Sequence, residues 1–362
     1  MSLGIAIFGM VPFGWRVMGA LAGILMLPAM YLLGKQLTKK SSFAFAAALM
    51  LALDCQHFTQ TRIATIDSYP VLFILFSWLF MLRFMQRDIV RLPVKKLLPD
   101  LALSGLFMGL GIASKWIGVY SGAGLAVAFF WTIFRHMRMA ATSAHLLKTD
   151  KSLSDEDRKI LTLRDQTTMK RVLVICLWCL LFFVAIPLAI YLLAYIPYFA
   201  YAHFDNLKDY LTAVWNAQLS MFSYHSKPGL GMDHPFYSPW YEWIFNQRPM
   251  YYASPTYVNT PGWSYAIWCF GNPAIWSAAL VGFAYTVFMW AKRHRYTLRK
   301  DGETLHWTAA DWDVTMPFLL LSALSQFLPW VLVPRGTYIY HYFATTPVSY
   351  THLRAHETLM NL

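Results

Sequence analysis

Val172-Leu-Val-Ile-Cys-Leu-Trp-Cys-Leu-Leu-Phe-Phe-Val-Ala-Ile-Pro-Leu-Ala-Ile-Tyr-Leu-Leu-Ala-Tyr195 decides the fold. It carries no charge and exceeds the ~20 residues a helix needs to cross a bilayer. Seven further apolar stretches accompany it: Trp15–Gly34, Phe43–Leu53, Ile66–Met85, Leu97–Ala113, Ile117–Phe134, Pro273–Trp290 and Met316–Val333. Phe43–Leu53 is short and is expected to borrow Asp54–Phe58. The composition agrees: mean hydropathy is +0.42, 57% of residues are apolar and 13% are charged. That balance describes an all-α polytopic membrane protein, not a soluble domain.

Basic residues orient the spans. The connections Lys35–Lys40, Arg83–Lys96, Arg135–Arg171 and Lys292–Lys300 hold 22 of the 30 Lys and Arg. The other eight are Arg16, Arg62, Lys115, Lys208, Lys227, Arg248, Arg335 and Arg354. Cytoplasmic loops carry the excess of Lys and Arg, so the four basic connections are expected inside and the segments around Arg16, Arg62, Lys115 and Arg248 outside. This rule accounts for most of the net charge of +12, and no nucleic-acid partner is assigned. Four cysteines do not suggest a disulfide framework. Cys176 and Cys179 form a C-x-x-C inside an apolar run, where thiols are inert unless a charge activates them.

Met1–Met10 is apolar but too short to span, lacks a basic flank, and reads as the end of something longer. Residues 348–362 are polar and unlike the rest, so the transmembrane domain is taken as 1–347 and the remainder as a non-native tail. The outer segment 196–272 is long, and long structured loops are usually functional. Within it Leu207, Tyr210, Leu211, Val214 and Trp215 follow helical spacing and predict an interfacial amphipathic helix over 206–220. The acid runs at Asp155–Asp157 and Asp311-Trp-Asp313 read as solvated faces.

Ionisable groups at the outer ends of apolar helices mark a site by default. Arg16, Arg62 with Asp67, Lys115, and Arg335 with His341 are so placed. Several cations aimed at one place suit a phosphate or pyrophosphate: Arg grips it bidentately, Lys as a point charge. The plainer alternative for each is an interface anchor. Asp67 lies five residues from Arg62 and fits either a partner for that Arg or a catalytic role. His225 and His234 match no zinc signature, and no nucleotide-binding or serine-hydrolase motif occurs. No cofactor or metal is expected.

Several segments share an order and a placement on outer faces. They are Phe13-Gly-Trp-Arg-Val-Met-Gly19, Phe58-Thr-Gln-Thr-Arg-Ile-Ala-Thr-Ile-Asp67, Gly109-Leu-Gly-Ile-Ala-Ser-Lys-Trp-Ile-Gly118, Tyr224-His-Ser226 with His234-Pro and Ser238-Pro-Trp240, Arg248-Pro-Met-Tyr-Tyr252, Gly271-Asn-Pro273 and Tyr340-His-Tyr342. From about Leu3 to Pro347 the chain resembles the bacterial protein O-mannosyltransferases, phospholipid-carrier-dependent glycosyltransferases of the GT-C type. The resemblance implies a multi-pass enzyme of the bacterial plasma membrane, active on the extracytoplasmic face. It would move mannose from a polyprenyl-phosphate donor to Ser or Thr of an exported protein by inverting displacement. Arg16, Lys115 and Arg335 would contact the donor phosphate; Arg62, Asp67, His225, His234, Arg248, His341 and Tyr342 would support the site. It also places the general base in an Asp-Glu pair on an earlier outer loop. No acid precedes Asp54, so this chain is expected to lack that base, to be truncated at both ends and to be nearly inactive. Rival readings are a transferase of another lipid-linked sugar, a transporter, or a non-catalytic scaffold. A transporter predicts polar or broken mid-membrane segments, whereas the ionisable residues here sit at helix ends.

Overall fold

The computed structural model describes residues 1–200, 202–253, 266–292, 298–301, 304–307 and 314–353. Helices dominate. After a short α1 (Ser2–Phe8) come α2 (Pro12–Thr38), α3 (Ser41–Ala52), α4 (Cys55–Arg62), α5 (Ser68–Met85), α6 (Val94–Ser114), α7 (Ile117–Thr149) and α8 (Asp155–Leu180). A π-helical turn joins α8 to α9 (Ile186–Ala194). Then follow α10 (Leu207–Ser226), α11 (Trp240–Trp243), α12 (Pro273–Lys292) and α13 (Thr315–Phe327). Two antiparallel ribbons interrupt them: β1 (Met250–Ala253) with β2 (Ile267–Cys269), and β3 (Leu298–Asp301) with β4 (Thr304–Trp307).

Among the described residues six segments are long and apolar enough to cross a membrane: Pro12–Thr38, Ser68–Met85, Val94–Ser114, Ile117–Thr149, Asp155–Ala194 and Thr315–Leu332. Ser41–Ala52 and Pro273–Phe288 are shorter apolar helices. All eight expected stretches are therefore helical. The chain is a multi-span membrane protein. The α8–α9 rod shows why water is the wrong solvent: Leu173, Leu177, Leu180, Val184 and Leu188 are each more than half exposed along one face. Such a patch demands an apolar environment.

The boundaries have local causes. Ser154 caps α8 by accepting from the Asp157 amide, and three acids fill its first turn, complementing the helix dipole. α3 stops at Ala52 and does not extend through Phe58 as expected. Asp54 instead caps α4, its carboxylate accepting from the His57 amide at 3.3 Å and from the Asn272 amide at 2.9 Å. Lys115 takes an extended conformation and breaks α6 from α7. The reversal is tight: a Cβ on Gly118 would lie 2.5 Å from the Ile112 nitrogen, so glycine is required there.

Two ends result. At one, Gln36 meets Gln86, Arg164 pairs with Asp88 at 2.7 Å, and Arg83 and Arg87 pair with the buried Asp100. At the other, α4, the Lys115 reversal, α10 and the segments around 229–253, 267–272 and 334–346 come together. The expected domain limit at 347 is not a packing limit: Val348, Tyr350 and Thr351 are buried. Asp311, Asp313 and Arg354 lie outside the described residues.

Candidate functional site

The organising element is α4, a polar helix buried at the basic-poor end. Its residues tie distant segments together. Gln56 donates to the Ile339 carbonyl at 2.9 Å and accepts from Thr346 at 2.8 Å. Thr59 donates to the Trp268 carbonyl at 2.9 Å, and Gln60 donates to Tyr252 at 2.8 Å. Buried polar groups must be paired, and here the pairs fix the late loops on the early helices.

On that base sits the charged cluster. Lys115 Nζ donates to Asp67 Oδ1 at 2.6 Å and lies 5.5 Å from the centre of the Tyr340 ring. The expected alternative of an Arg62–Asp67 pair is not what forms: Arg62 is exposed and stacks over Phe58 at 4.9 Å. Arg335 arrives through a two-loop clasp, in which the Gly336 amide donates to the Leu230 carbonyl and the Gly229 amide to the Pro334 carbonyl. Its guanidinium donates to the Gly336 carbonyl at 3.1 Å, while its buried Nε has no hydrogen-bond partner among the described residues. Orphaned buried donors call for an explanation, and a bound anion supplies one.

Electrostatics join Lys115 to Arg335. His341 is held well below its ordinary range by burial first, then by Lys115 and Arg335. His225, at the end of α10, is also lowered, by burial and then by Arg335 and Lys115. For both imidazoles the effect disfavours the charged form. Burial, with Asp67 next, raises the Tyr340 phenol. His341 is boxed in by rings, with Trp330 and Tyr340 centred 4.3 Å away and the buried Trp243 at 6.0 Å. Tyr342 sits behind, against Trp276 and Phe327.

Other expected residues stand apart. Arg16, in the first turns of α2, is exposed and makes no ion pair or side-chain hydrogen bond among the described residues. Arg248 donates to the Tyr237 carbonyl at 2.7 Å and faces Glu242 at 3.6 Å. His234 Nδ1 accepts from the Phe236 amide at 3.2 Å, holding its own loop, with its ring against Tyr338. A cavity of about 170 Å³ runs between α12 and α13, lined by Leu280, Phe283, Leu324 and Phe327 and touching the cluster's surroundings through Tyr342. Among the described residues no three His, Cys, Asp or Glu side chains converge on a metal position.

Residues 4–207 match the dolichyl-phosphate-mannose-protein mannosyltransferase family, more than half of the chain. The chain belongs to that family. Residues 210–353 match the C-terminal four-transmembrane region of protein-O-mannosyltransferase. A polyprenol-phosphate-mannose–protein mannosyltransferase of Mycobacterium tuberculosis is 25% identical over 94% of this chain and 69% of its own length. The Corynebacterium glutamicum protein of the same name is 25% identical over 97% of this chain and 66% of its own. The S. cerevisiae protein O-mannosyltransferase complex bound to the sugar donor superposes with a TM-score of 0.69 at 10% identity, covering 95% of this chain and 73% of that one. That likeness speaks to fold: the mannosyltransferase-family helix arrangement is shared although nine residues in ten differ.

Sequence reasoning did not single out Gln56, Trp243 or Trp330, and gave Gln60 and Tyr252 no role beyond their place in the quoted segments. A signal existed for the glutamines: Gln56 and Gln60 are four apart, on one face of a helix that Asp54 caps.

Proposed function

We propose that this chain is the transmembrane unit of a mannosyltransferase that moves mannose from a polyprenyl-phosphate carrier to Ser or Thr of exported proteins. The family membership and the relatives' names support the activity. The observation that carries the site reading is Lys115 held against Asp67 and the Tyr340 ring, which abuts His341 at 4.3 Å, with Arg335 Nε buried and unpaired among the described residues. An acceptor hydroxyl oxygen attacks the anomeric carbon, the bond from that carbon to the phosphate oxygen breaks, and the electron pair stays on the phosphate. Charge grows there, and fixed cations stabilise it. The resemblance puts the proton-accepting carboxylate on an earlier loop, and that role is assigned to no residue of this chain. The apolar cavity beside Tyr342 suits an isoprenoid tail, and the excess of Lys and Arg at the other end favours an extracytoplasmic site.

The test is binding of polyprenyl-phosphate-mannose to the detergent-solubilised chain. A charge-assisted hydrogen bond is worth about 1.5–3 kcal/mol, so Lys115→Ala and Arg335→Ala should each weaken donor binding roughly 10- to 100-fold. Unchanged donor affinity in both variants would sink the phosphate reading.

A further inference from the structure

The pair between Lys115 and Asp67 puts a carboxylate inside a cluster otherwise suited to an anion. Asp67 is buried, and its Oδ1 occupies one of the three donor positions of the ammonium. A phosphate oxygen taking another of those hydrogens at ordinary length would stand roughly 4.5 Å from that carboxylate oxygen. The Tyr340 ring covers a further side of the ammonium, which limits where it can retreat.

The charge of the bound phosphate changes during transfer. The donor is a phosphodiester with one negative charge. When the hydroxyl oxygen bonds to the anomeric carbon, its proton goes to the base and the phosphate leaves as a monoester. With a second ionisation near pH 6, that monoester carries about −1.5 to −2 at pH 7. Two cations alone would hold this product more tightly than the donor, because attraction scales with charge. Such a site would clog with spent carrier.

We propose that Asp67 is a specificity-determining residue that sets the phosphate charge the site retains. It leaves the singly charged diester bound and repels the second charge of the monoester, so the spent carrier is released. The inference rests on the reading of Lys115 and Arg335 as the phosphate grip. The surroundings leave Asp67 this task. Burial lowers His341 and raises Tyr340, Tyr252 and Cys269 beside Asp67, which disfavours a charge on each of them.

The experiment compares two lipids of equal chain length and different charge: polyprenyl phosphate and polyprenyl methyl phosphate. Their affinities are measured on the full chain in detergent at pH 7.5. In the unmodified protein the monoester should bind no more than about threefold tighter than the diester. In Asp67→Asn it should gain roughly tenfold relative to the diester. An unchanged ratio overturns the proposal, whether both lipids weaken together, as for a merely structural pin, or neither moves. If Asp67→Asn does not fold, the unmodified protein decides: a monoester preference above about tenfold rejects the proposal, and near-equal binding supports it. Lys115→Gln weakening neither lipid would remove the phosphate grip itself, a result separate from the ratio.

Discussion

His57 illustrates how one residue of α4 ties stability to pH. Its Nε2 lies 3.2 Å from the Gly23 carbonyl oxygen, and because a carbonyl can only accept, Nε2 carries the proton. Burial drives its pKa down to about 4, against a smaller opposing effect from that carbonyl. The folded value is below the unfolded one of 6.5, so the unfolded chain binds more protons between the two. Stability is therefore full above about pH 6.5 and falls as pH drops toward 4, by at most roughly 3 kcal/mol from this residue. His57→Gln should show a shallower acid loss in detergent melts at pH 7.5 and 4.5; an equal loss in both proteins would remove the assignment. A second residue, Gly336, is placed by closeness: a Cβ there would meet the Gly231 oxygen at 2.4 Å. Gly336→Ala should open the clasp that carries Arg335 and weaken polyprenyl phosphate binding by about tenfold, the equivalent of one charged hydrogen bond. Undisturbed binding would show that the clasp does not set the guanidinium. At this scale the sequence marks candidate cations more readily than the partners they meet. Lys115 and Asp67 were both conspicuous, but they are 48 residues apart, and only the reversal at Lys115 brings them together.

Elements were legible where periodicity alone decides. α10 was readable from the spacing of Leu207, Leu211 and Trp215, and the structure extends it to Ser226. Its outer stripe continues through Leu219 and Phe222, which are half exposed or more, while Val214 is buried. Tyr210 donates to the Leu192 carbonyl at 2.5 Å, and Gln218 bonds Tyr191, which accepts from Trp116 beside Lys115. One face thus packs on the protein and the other presents an exposed apolar stripe, as an interfacial helix would. Nitroxides on Trp215→Cys and Phe222→Cys should lie about 5–10 Å into the headgroup boundary, as interfacial helices do. A fully aqueous signal at both sites would refute an interfacial α10. α3 was harder to read. Hydropathy let it run into Phe58, yet Asp54 ends it, because a capped polar helix satisfies more buried partners there than a longer apolar one. The limit of hydropathy is that it counts side chains and does not see which backbone amide a carboxylate will cap.

The molecule as a whole is built on the alternation of its connections. Loops rich in Lys and Arg bond to one another: Arg171 reaches the Ile89 and Leu92 carbonyls, and Arg164 reaches Asp88. Loops poor in them do the same, through Asp54 with Asn272, Gln56 with Ile339 and Gly229 with Pro334. The bias of basic residues and the contact pattern are independent observations, and they divide the chain at the same places. A charge rule can assign sides but cannot pair loops, since pairing depends on side chains far apart in sequence. Both together fix an expected labelling pattern. Single cysteines at Lys227 and Pro334, in a background lacking Cys55, Cys176, Cys179 and Cys269, should react with a membrane-impermeant maleimide in intact cells. Cysteines at Arg91 and Lys151 should react only after the cells are opened. Pro334 and Lys227 labelling from opposite sides would break the clasp and the cluster with it. All four sites labelling with inverted sidedness would keep the cluster intact but place it on the cytoplasmic face, against the proposed orientation.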